Sequence, residues 1–403
     1  MIDFVKNEYL ERMKADLGSF YDKYILTFED KETHGIIINK KKLVCSTIDI
    51  DYVLKRFSGE IVCENDSFVY MTYDKEELLK SNIQIGKDPL HHAGLYYVQE
   101  PSAAKVLCDF KVDKNDAVLD LCASPGGKSI MSLCYLDKKE GGFLLSNEID
   151  YGRSKTLISN IDRMGFDNVI VTCNRSSELK KVFVEFFDKI IVDAPCSGEG
   201  MMRKSKDVRL QWSETLVKSM SRIQKELLND AYSMLKKGGY IVYSTCTFSK
   251  EEDEEVVKYV LDKFDDIKLL KSEKLLPYEY KGEGQFYAIF RKEGNVSDTT
   301  SFPSKKFLSS VNVLKYGVEQ YEKKYNVTLP THESTHVDSI IFDNVYELND
   351  DEVLKYLHGE EIVTSVELKN SYYKVTYKNL GIGLAKGVGR VLKNHYPKGL
   401  RNM

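Results

Sequence analysis

The chain has 403 residues, 42% of them hydrophobic and 30% charged, with a net charge of -4 at pH 7. This is the make-up of a soluble globular protein of two or three domains, and it excludes a globally basic nucleic-acid binder, so any basic surface must be local. No apolar stretch is long enough to cross a bilayer, the start lacks a secretory signal, and eight cysteines without C-x-x-C pairs suit a reducing cytoplasm better than a disulfide framework or a metal site.

In chain order, residues 1 to 96 read as an α+β region, helical from Asp3 to Phe20 and strand-like from Gly35 to Ile38. The centre alternates apolar runs with helical patterns. Ala117–Leu121, Gly142–Ser146, Asn168–Thr172, Lys189–Asp193 and Tyr240–Ser244 are unbroken rather than alternating, as expected for parallel strands covered on both faces. Ser213 is positioned to cap a helix from Glu214 to Lys236, which should stop at Gly238 and Gly239. Ser249 and Glu252 have capping-box spacing, which would put the acidic run Glu251–Glu255 in a first turn where the helix dipole favours carboxylates. Gln285–Arg291 reads as a last, antiparallel edge strand. Residues 294 to 306 are polar and linker-like, and the remainder ends in strands around Ser371–Tyr377 and Gly381–Leu384. From Leu368 onward there are Lys369, Lys374, Lys378, Lys386, Arg390, Lys393, Lys398 and Arg401 and no acidic residue. Tyr372, Tyr373, Tyr377, His395 and Tyr396 interleave with that charge, a combination suited to RNA.

The turn after the first central strand, Asp120 to Ser129 (DLCASPGGKS), admits three readings. A Walker loop needs glycine where Cys122 stands, and a dinucleotide fingerprint needs G-x-G-x-x-G, which is absent. An S-adenosylmethionine site fits: an acid at a strand end, a glycine turn that lets backbone approach a ligand, and Glu148 or Asp150 after strand two to grip ribose hydroxyls. A plain structural turn is the remaining alternative. Two further strands end at Cys196 (Asp193 to Gly200, DAPCSGEG) and Cys246 (Ser244 to Thr247, STCT), and strand ends are where an open α/β sheet does its chemistry. Cys45, Cys63, Cys108, Cys134 and Cys173 read as core or bystander thiols, and His91 and His92 as ordinary packing residues, with a place lining an RNA approach as the alternative.

These segments, with Tyr97 to Ala104 (YVQEPSAA), resemble the Nop/Sun family of RNA cytosine-C5 methyltransferases over residues 90 to 292. The ending Lys386 to Arg401 resembles the carboxyl-terminal module of its bacterial RsmF-type branch, whose members act on small-subunit ribosomal RNA. The resemblance implies an α/β fold: a Rossmann-like methyltransferase core at 97–293, an amino-terminal α+β RNA-recognition domain at 1–96 and a small β-rich, PUA-like RNA-binding domain at 306–403. It implies S-adenosylmethionine as cofactor, held by Cys122, Ala123, Ser124, Pro125, Gly126, Gly127, Lys128, Glu148, Arg153 and Asp193. The acid that the family places near the adenine is here Asn174. It implies Cys246 as nucleophile, Cys196 in product release, Asp193 on the cytosine edge and Lys128 beside a thiol or the target. Ribosomal RNA, or the small subunit itself, is the implied partner of a cytoplasmic monomer; transfer RNA and a non-catalytic assembly role are the alternatives.

Overall fold

The computed structural model describes residues 5–295, 300–324 and 327–402, which divide into two compact units: 1–34, 99–154 and 170–314 form one, and 35–98, 155–169 and 315–403 the other. The first unit is built on an eight-stranded sheet. Its strands are β1 (Ala117–Asp120), β2 (Phe143–Asn147), β3 (Val169–Thr172), β4 (Phe187–Asp193), β5 (Leu235–Thr245), β6 (Ile267–Leu275), β7 (Gln285–Lys292) and β8 (Val313–Tyr316), in the order β6-β7-β5-β4-β1-β2-β3-β8. β1 runs parallel to β2 and β4, and β4 parallel to β5, whereas β7 is antiparallel to both β5 and β6. β1, β2 and β3 are buried along their whole length, as unbroken apolar runs require.

Two expectations shift here. The antiparallel strand is not at the edge, because β6 pairs outside it. Its sequence, IKLLKSEKL, alternates charge with apolar residues as a solvent-facing edge should, so it carries none of the apolar run that marks its neighbours. The capping box is also absent: the helix after Cys246 spans Glu254–Lys263, and Ser249 and Glu252 lie ahead of it with their side chains turned inward. Of the acidic run, only Glu254 and Glu255 occupy its first turn, and Glu251 instead pairs with Arg12.

Residues 300–308 dock rather than dangle. Phe302 meets Phe143 edge-on and Phe307 stacks on Phe186, so two aromatics fasten a stretch whose polarity suggests a linker; Val296 to Thr299 lie outside the described residues. The helix expected from Asp3 runs from Asn7 to Leu17, with Asp3 itself outside the described residues. It and the turns after it bury Tyr9, Met13, Tyr24 and Phe28 against Trp212 and Phe248.

In the second unit, a sheet of His34–Asn39, Gly59–Glu64, Phe68–Tyr73 and Tyr96–Val98 and a second sheet of Val345–Leu348, Ile362–Leu368, Tyr372–Tyr377 and Leu380–Asn394 contribute to one hydrophobic core. Tyr373, Tyr377 and Tyr396 are part of that core, at 7%, 4% and 3% exposure, so they are packing residues and not stacking surface for RNA. Among the described residues, no helix is long and apolar enough to cross a membrane.

That core encloses a row of histidines. His92 Nδ1 lies 2.7 Å from Tyr396 Oη, His332 packs against both Tyr396 and His336, and one ring nitrogen each of His91, His332 and His336 is buried without a hydrogen-bond partner. Burial holds His332 down at about 4, against an ordinary 6.5, and keeps His91, His92 and His336 low as well. The unfolded chain therefore binds more protons below pH 6.5, so stability is full above that value and is lost as pH falls towards 4. His332 alone amounts to ~3 kcal/mol across this window. Hydrogen exchange at pH 7 and pH 5 should show amides of this unit opening preferentially at the lower pH, and His332→Phe should shrink the difference.

Candidate active site

β1, β4 and β5 deliver their carboxyl ends to one place. β1 closes on Asp120, which is buried, accepts from Ser129 Oγ at 2.7 Å and is lifted to about 7 by burial. The chain then turns through Leu121–Gly126, with a cis Ser124–Pro125 bond and Gly126 at φ +119°, a conformation that favours glycine. A Cβ on Gly127 would fall 1.9 Å from Gln99 Oε1. The turn is tied down from both sides: Ala123 N donates to Asn147 O at 2.8 Å, and Arg153 Nη2 to Ser124 O at 2.8 Å. The Cys122 thiol is pushed up, first by burial and then by Asp120, Asp193 and Glu148. Glu148, at the end of β2, is buried, accepts from Asp150 N at 2.9 Å and lies 3.6 Å from Arg153.

Asn174, after β3, is spent within the protein. Its amide donates to Glu178 Oε2 at 3.1 Å and its carbonyl accepts from Asn312 N at 3.1 Å. Asn147 organises this corner, donating to Leu121 O and Asn174 O and accepting from Thr172 Oγ1 and Asn174 N. Nothing in its local sequence marks it out, because its partners come from two other strand ends, those of β1 and β3.

The helix that follows the turn, Gly127–Tyr135, carries Lys128 in its first turn, 5% exposed. A cation buried at the positive end of a helix dipole needs a counter-charge. Asp193, the last residue of β4, supplies it at 2.8 Å from Nζ. Ser244 Oγ (2.7 Å) and Gln285 Nε2 (3.3 Å) donate to the other oxygen, so three elements aim this carboxylate. Gln285 was not singled out in the sequence, where it is simply the first residue of a strand.

Cys196 and Cys246 face each other with sulfurs 3.1 Å apart. Hydrogen bonding to Cys246, then burial, drive the Cys196 thiol well up, and either sulfur can donate in that contact. The two loops are stitched together by Ser197 Oγ and Thr247 Oγ1 at 2.8 Å and by Gly200 N donating to Cys246 O at 2.9 Å. Gly200 has no room for a side chain, since a Cβ would meet Gly284 O at 2.9 Å and Cys246 O at 3.2 Å. The buried Glu199 accepts from Trp212 Nε1, Phe248 N and Ser249 Oγ, and Glu252 accepts from Ser197 N. The Gln99–Ala104 segment braces the same region, Glu100 accepting from Glu283 N and Ser102 from Gly284 N.

The arrangement therefore holds a pair of cysteine sulfurs in contact, beside a lysine-neutralised carboxylate and a bare backbone turn. Of the other cysteines, Cys134 is buried and Cys45 exposed, and among the described residues no group of three or more His, Cys, Asp or Glu is grouped to hold a metal ion.

Three family profiles match the chain: "16S rRNA methyltransferase RsmB/F" over residues 108–294, "N-terminal domain of 16S rRNA methyltransferase RsmF" over 5–101, and "Methyltransferase RsmF PUA domain" over 343–402. Ribosomal RNA small subunit methyltransferase F of Shewanella piezotolerans is 27% identical over 408 residues, 84% of each chain. The protein of the same name from Aeromonas salmonicida is 33% identical over 245 residues, 56% of this chain and 51% of that one. Among solved structures, a methyltransferase homologue from Pyrococcus horikoshii aligns with a TM-score of 0.55 at 24% identity, covering 71% of this chain and all of that one. NSun6 from Pyrococcus horikoshii with SFG aligns at 0.59 and 18%, covering 73% and 100%. Both likenesses are of fold.

Proposed function

The chain belongs to the RsmB/F family of 16S rRNA methyltransferases and carries the amino-terminal and PUA modules of RsmF, and we propose that it methylates C5 of a cytosine in RNA, with 16S ribosomal RNA as the favoured substrate. The observation that carries this reading is the 3.1 Å approach of Cys196 and Cys246 beside the Lys128–Asp193 pair. The proposal extends to domain limits of 1–96, 97–293 and 306–403 and to a cytoplasmic monomer.

Cytosine C5 is a poor nucleophile until a thiolate adds to C6 and breaks the aromaticity of the ring. In this reading Cys246 supplies that thiolate, forming the C6–S bond. Asp193, its orientation fixed by Lys128, Ser244 and Gln285, hydrogen-bonds the N3 and amino edge and favours the protonated ring. Once C5, made enamine-like by the addition, carries the transferred methyl group, its proton is removed with the help of Cys196, the C5–C6 double bond re-forms and the C6–S bond breaks, returning the Cys246 thiolate.

The strand-end corner suits S-adenosylmethionine: Gly126 leaves backbone bare at the turn, and the buried Glu148 presents a carboxylate after β2, as ribose hydroxyls need. The residues Cys122 to Lys128, Glu148, Arg153 and Asp193 would hold it. When bound, the cofactor supplies an electrophilic methyl group. Asn174 would border the adenine without a spare donor, since Glu178 and Asn312 use its side chain and Asn147 its backbone N–H and carbonyl.

The target base must leave its stack to reach Cys246, so the RNA is single-stranded or locally open when bound. The part of the basic ending outside the core is a clamp for it: the half-buried Lys386 lies over the half-buried Tyr372, which meets the exposed His395 edge-on. Lys386→Ala and Arg390→Ala should each weaken RNA binding and flatten its salt dependence, by ~0.7 in log–log slope per lost phosphate contact. Unchanged slopes would move the clamp elsewhere.

The deciding assay is tritium release from RNA labelled at cytosine C5, with S-adenosylmethionine added. Release from 16S ribosomal RNA supports the reading, and release from transfer RNA alone redirects the substrate. No release from any total RNA leaves a binding protein.

A further inference from the structure

Glu252 is fully buried, and its surroundings differ from those of its acidic neighbours. Glu251 is paired with Arg12, and Asp253 and Glu254 with Lys274. Among the described residues Glu252 has no ion pair; its Oε2 accepts from Ser197 N at 3.0 Å and from Gln224 Nε2 at 2.8 Å. The same Gln224 nitrogen donates to Pro195 O at 2.9 Å. Glu252 and Gln224 together therefore grip the backbone on both sides of Cys196, from Pro195 to Ser197.

Two oxygens are left over. Glu252 Oε1 and Gln224 Oε1 are both buried and without a hydrogen-bond partner. A buried carboxylate with no cation and one unused oxygen is costly, as is an amide oxygen with no donor. One proton on Oε1 removes the charge and turns one of the two unused acceptors into a donor. Burial accordingly raises this carboxyl to about 7, with the nearby Glu199 adding to the shift. The ionisable groups around it are Glu199 and Cys196 in the loop after β4, Tyr243 on β5 and Asp253 beside it, none of them cationic.

We propose that Glu252 is a positioning residue of the reaction and works as a neutral acid, paired with Gln224 to hold the Cys196 loop against Cys246. This rests on the cytosine-C5 reading, in which a misplaced Cys196 fails at release. The test compares Glu252→Gln, Glu252→Ala and Gln224→Ala with Cys196→Ala in the full chain. Turnover on 16S ribosomal RNA and the covalent protein–RNA adduct on a denaturing gel are both measured. Glutamine is isosteric with the protonated acid and brings its own donor, so Glu252→Gln should keep most of its turnover and show no adduct. Glu252→Ala and Gln224→Ala should lose ~10-fold or more in turnover, as expected when a buried network is broken, and should accumulate adduct as Cys196→Ala does.

Glu252→Gln behaving like Glu252→Ala overturns the neutral-acid assignment. Adduct in Cys196→Ala but in neither Glu252→Ala nor Gln224→Ala overturns the positioning role. Absence of adduct in Cys196→Ala itself sinks the release reading instead, and the split in turnover between Glu252→Gln and Glu252→Ala then decides the proposal alone. Should Glu252→Ala not fold, Gln224→Ala, which leaves the acid in place, carries the comparison.

Discussion

Cys246→Ala is expected to abolish methylation, whereas Cys196→Ala is expected to methylate once and then remain joined to its RNA. The asymmetry follows from the proposed roles, attack by the cysteine of STCT and assistance in release by the cysteine of DAPC. Their sulfurs are 3.1 Å apart, and Cys196 is held high by its hydrogen bond to Cys246 and by burial. Once Cys246 is bonded to C6 it is a thioether, and the largest cause of Cys196's elevation has gone. Cys196 then becomes more acidic at the stage when a proton must leave C5, while burial still withholds it from bulk solvent. Without it, elimination stalls and the C6–S bond persists. Cys246→Ala should fall at least ~10³-fold in kcat with no adduct, the loss typical of removing a covalent nucleophile. Cys196→Ala should give a band shifted by the mass of the RNA that disappears in the double variant. A band from Cys246→Ala and none from Cys196→Ala would exchange the two roles.

The parallel strands of the catalytic sheet were legible because strands buried on two faces leave unbroken apolar runs, as AVL in AVLD and IIV in FDKIIVD. The site loops were legible for a related reason: each follows such a run, so Asp120, Asp193, Cys196 and Cys246 announce themselves as strand-end residues. What failed was reading charge locally. The run Glu251–Glu255 suggests a helix start, yet its members serve separately: Glu251 binds Arg12, Glu252 holds the Cys196 loop, Asp253 meets Lys274 and Thr245, and only Glu254 and Glu255 face the helix dipole. A carboxylate's job is set by what is brought to it across the fold, and sequence spacing does not carry that. Gln285 is hidden for the same reason. The tyrosines of the basic ending show the converse error, for Tyr373, Tyr377 and Tyr396 look available among lysines and are core. That core joins residues 35–98 with residues 345–396, and two sheets so far apart in sequence leave no local trace of sharing it.

The Lys128–Asp193 pair gives the second large effect. Asp193→Ala should lower kcat/KM ~10³-fold, the scale of losing a preorganised polar contact to developing charge, and it also strands a buried lysine. Asp193→Asn separates these causes. Its amide oxygen can still accept from Ser244 and Gln285, but its NH2 would then face Lys128 Nζ, and it can no longer favour a protonated ring. If Asp193 acts on the cytosine edge, Asp193→Asn should be nearly as inactive as Asp193→Ala, with its loss chiefly in kcat. Lys128→Met should retain more activity than either, since Ser244 and Gln285 still aim the carboxylate, and should show its loss chiefly in KM as the carboxylate drifts. Thermal melts supply the control: Lys128→Met and Asp193→Ala each break an ion pair whose lysine is buried and should both lower Tm, while the Lys128→Met/Asp193→Ala double variant should recover part of it. Activity that follows Tm across the series would make the pair purely structural. An inactive Asp193→Asn with a near-native Tm makes Asp193 the group that touches the base.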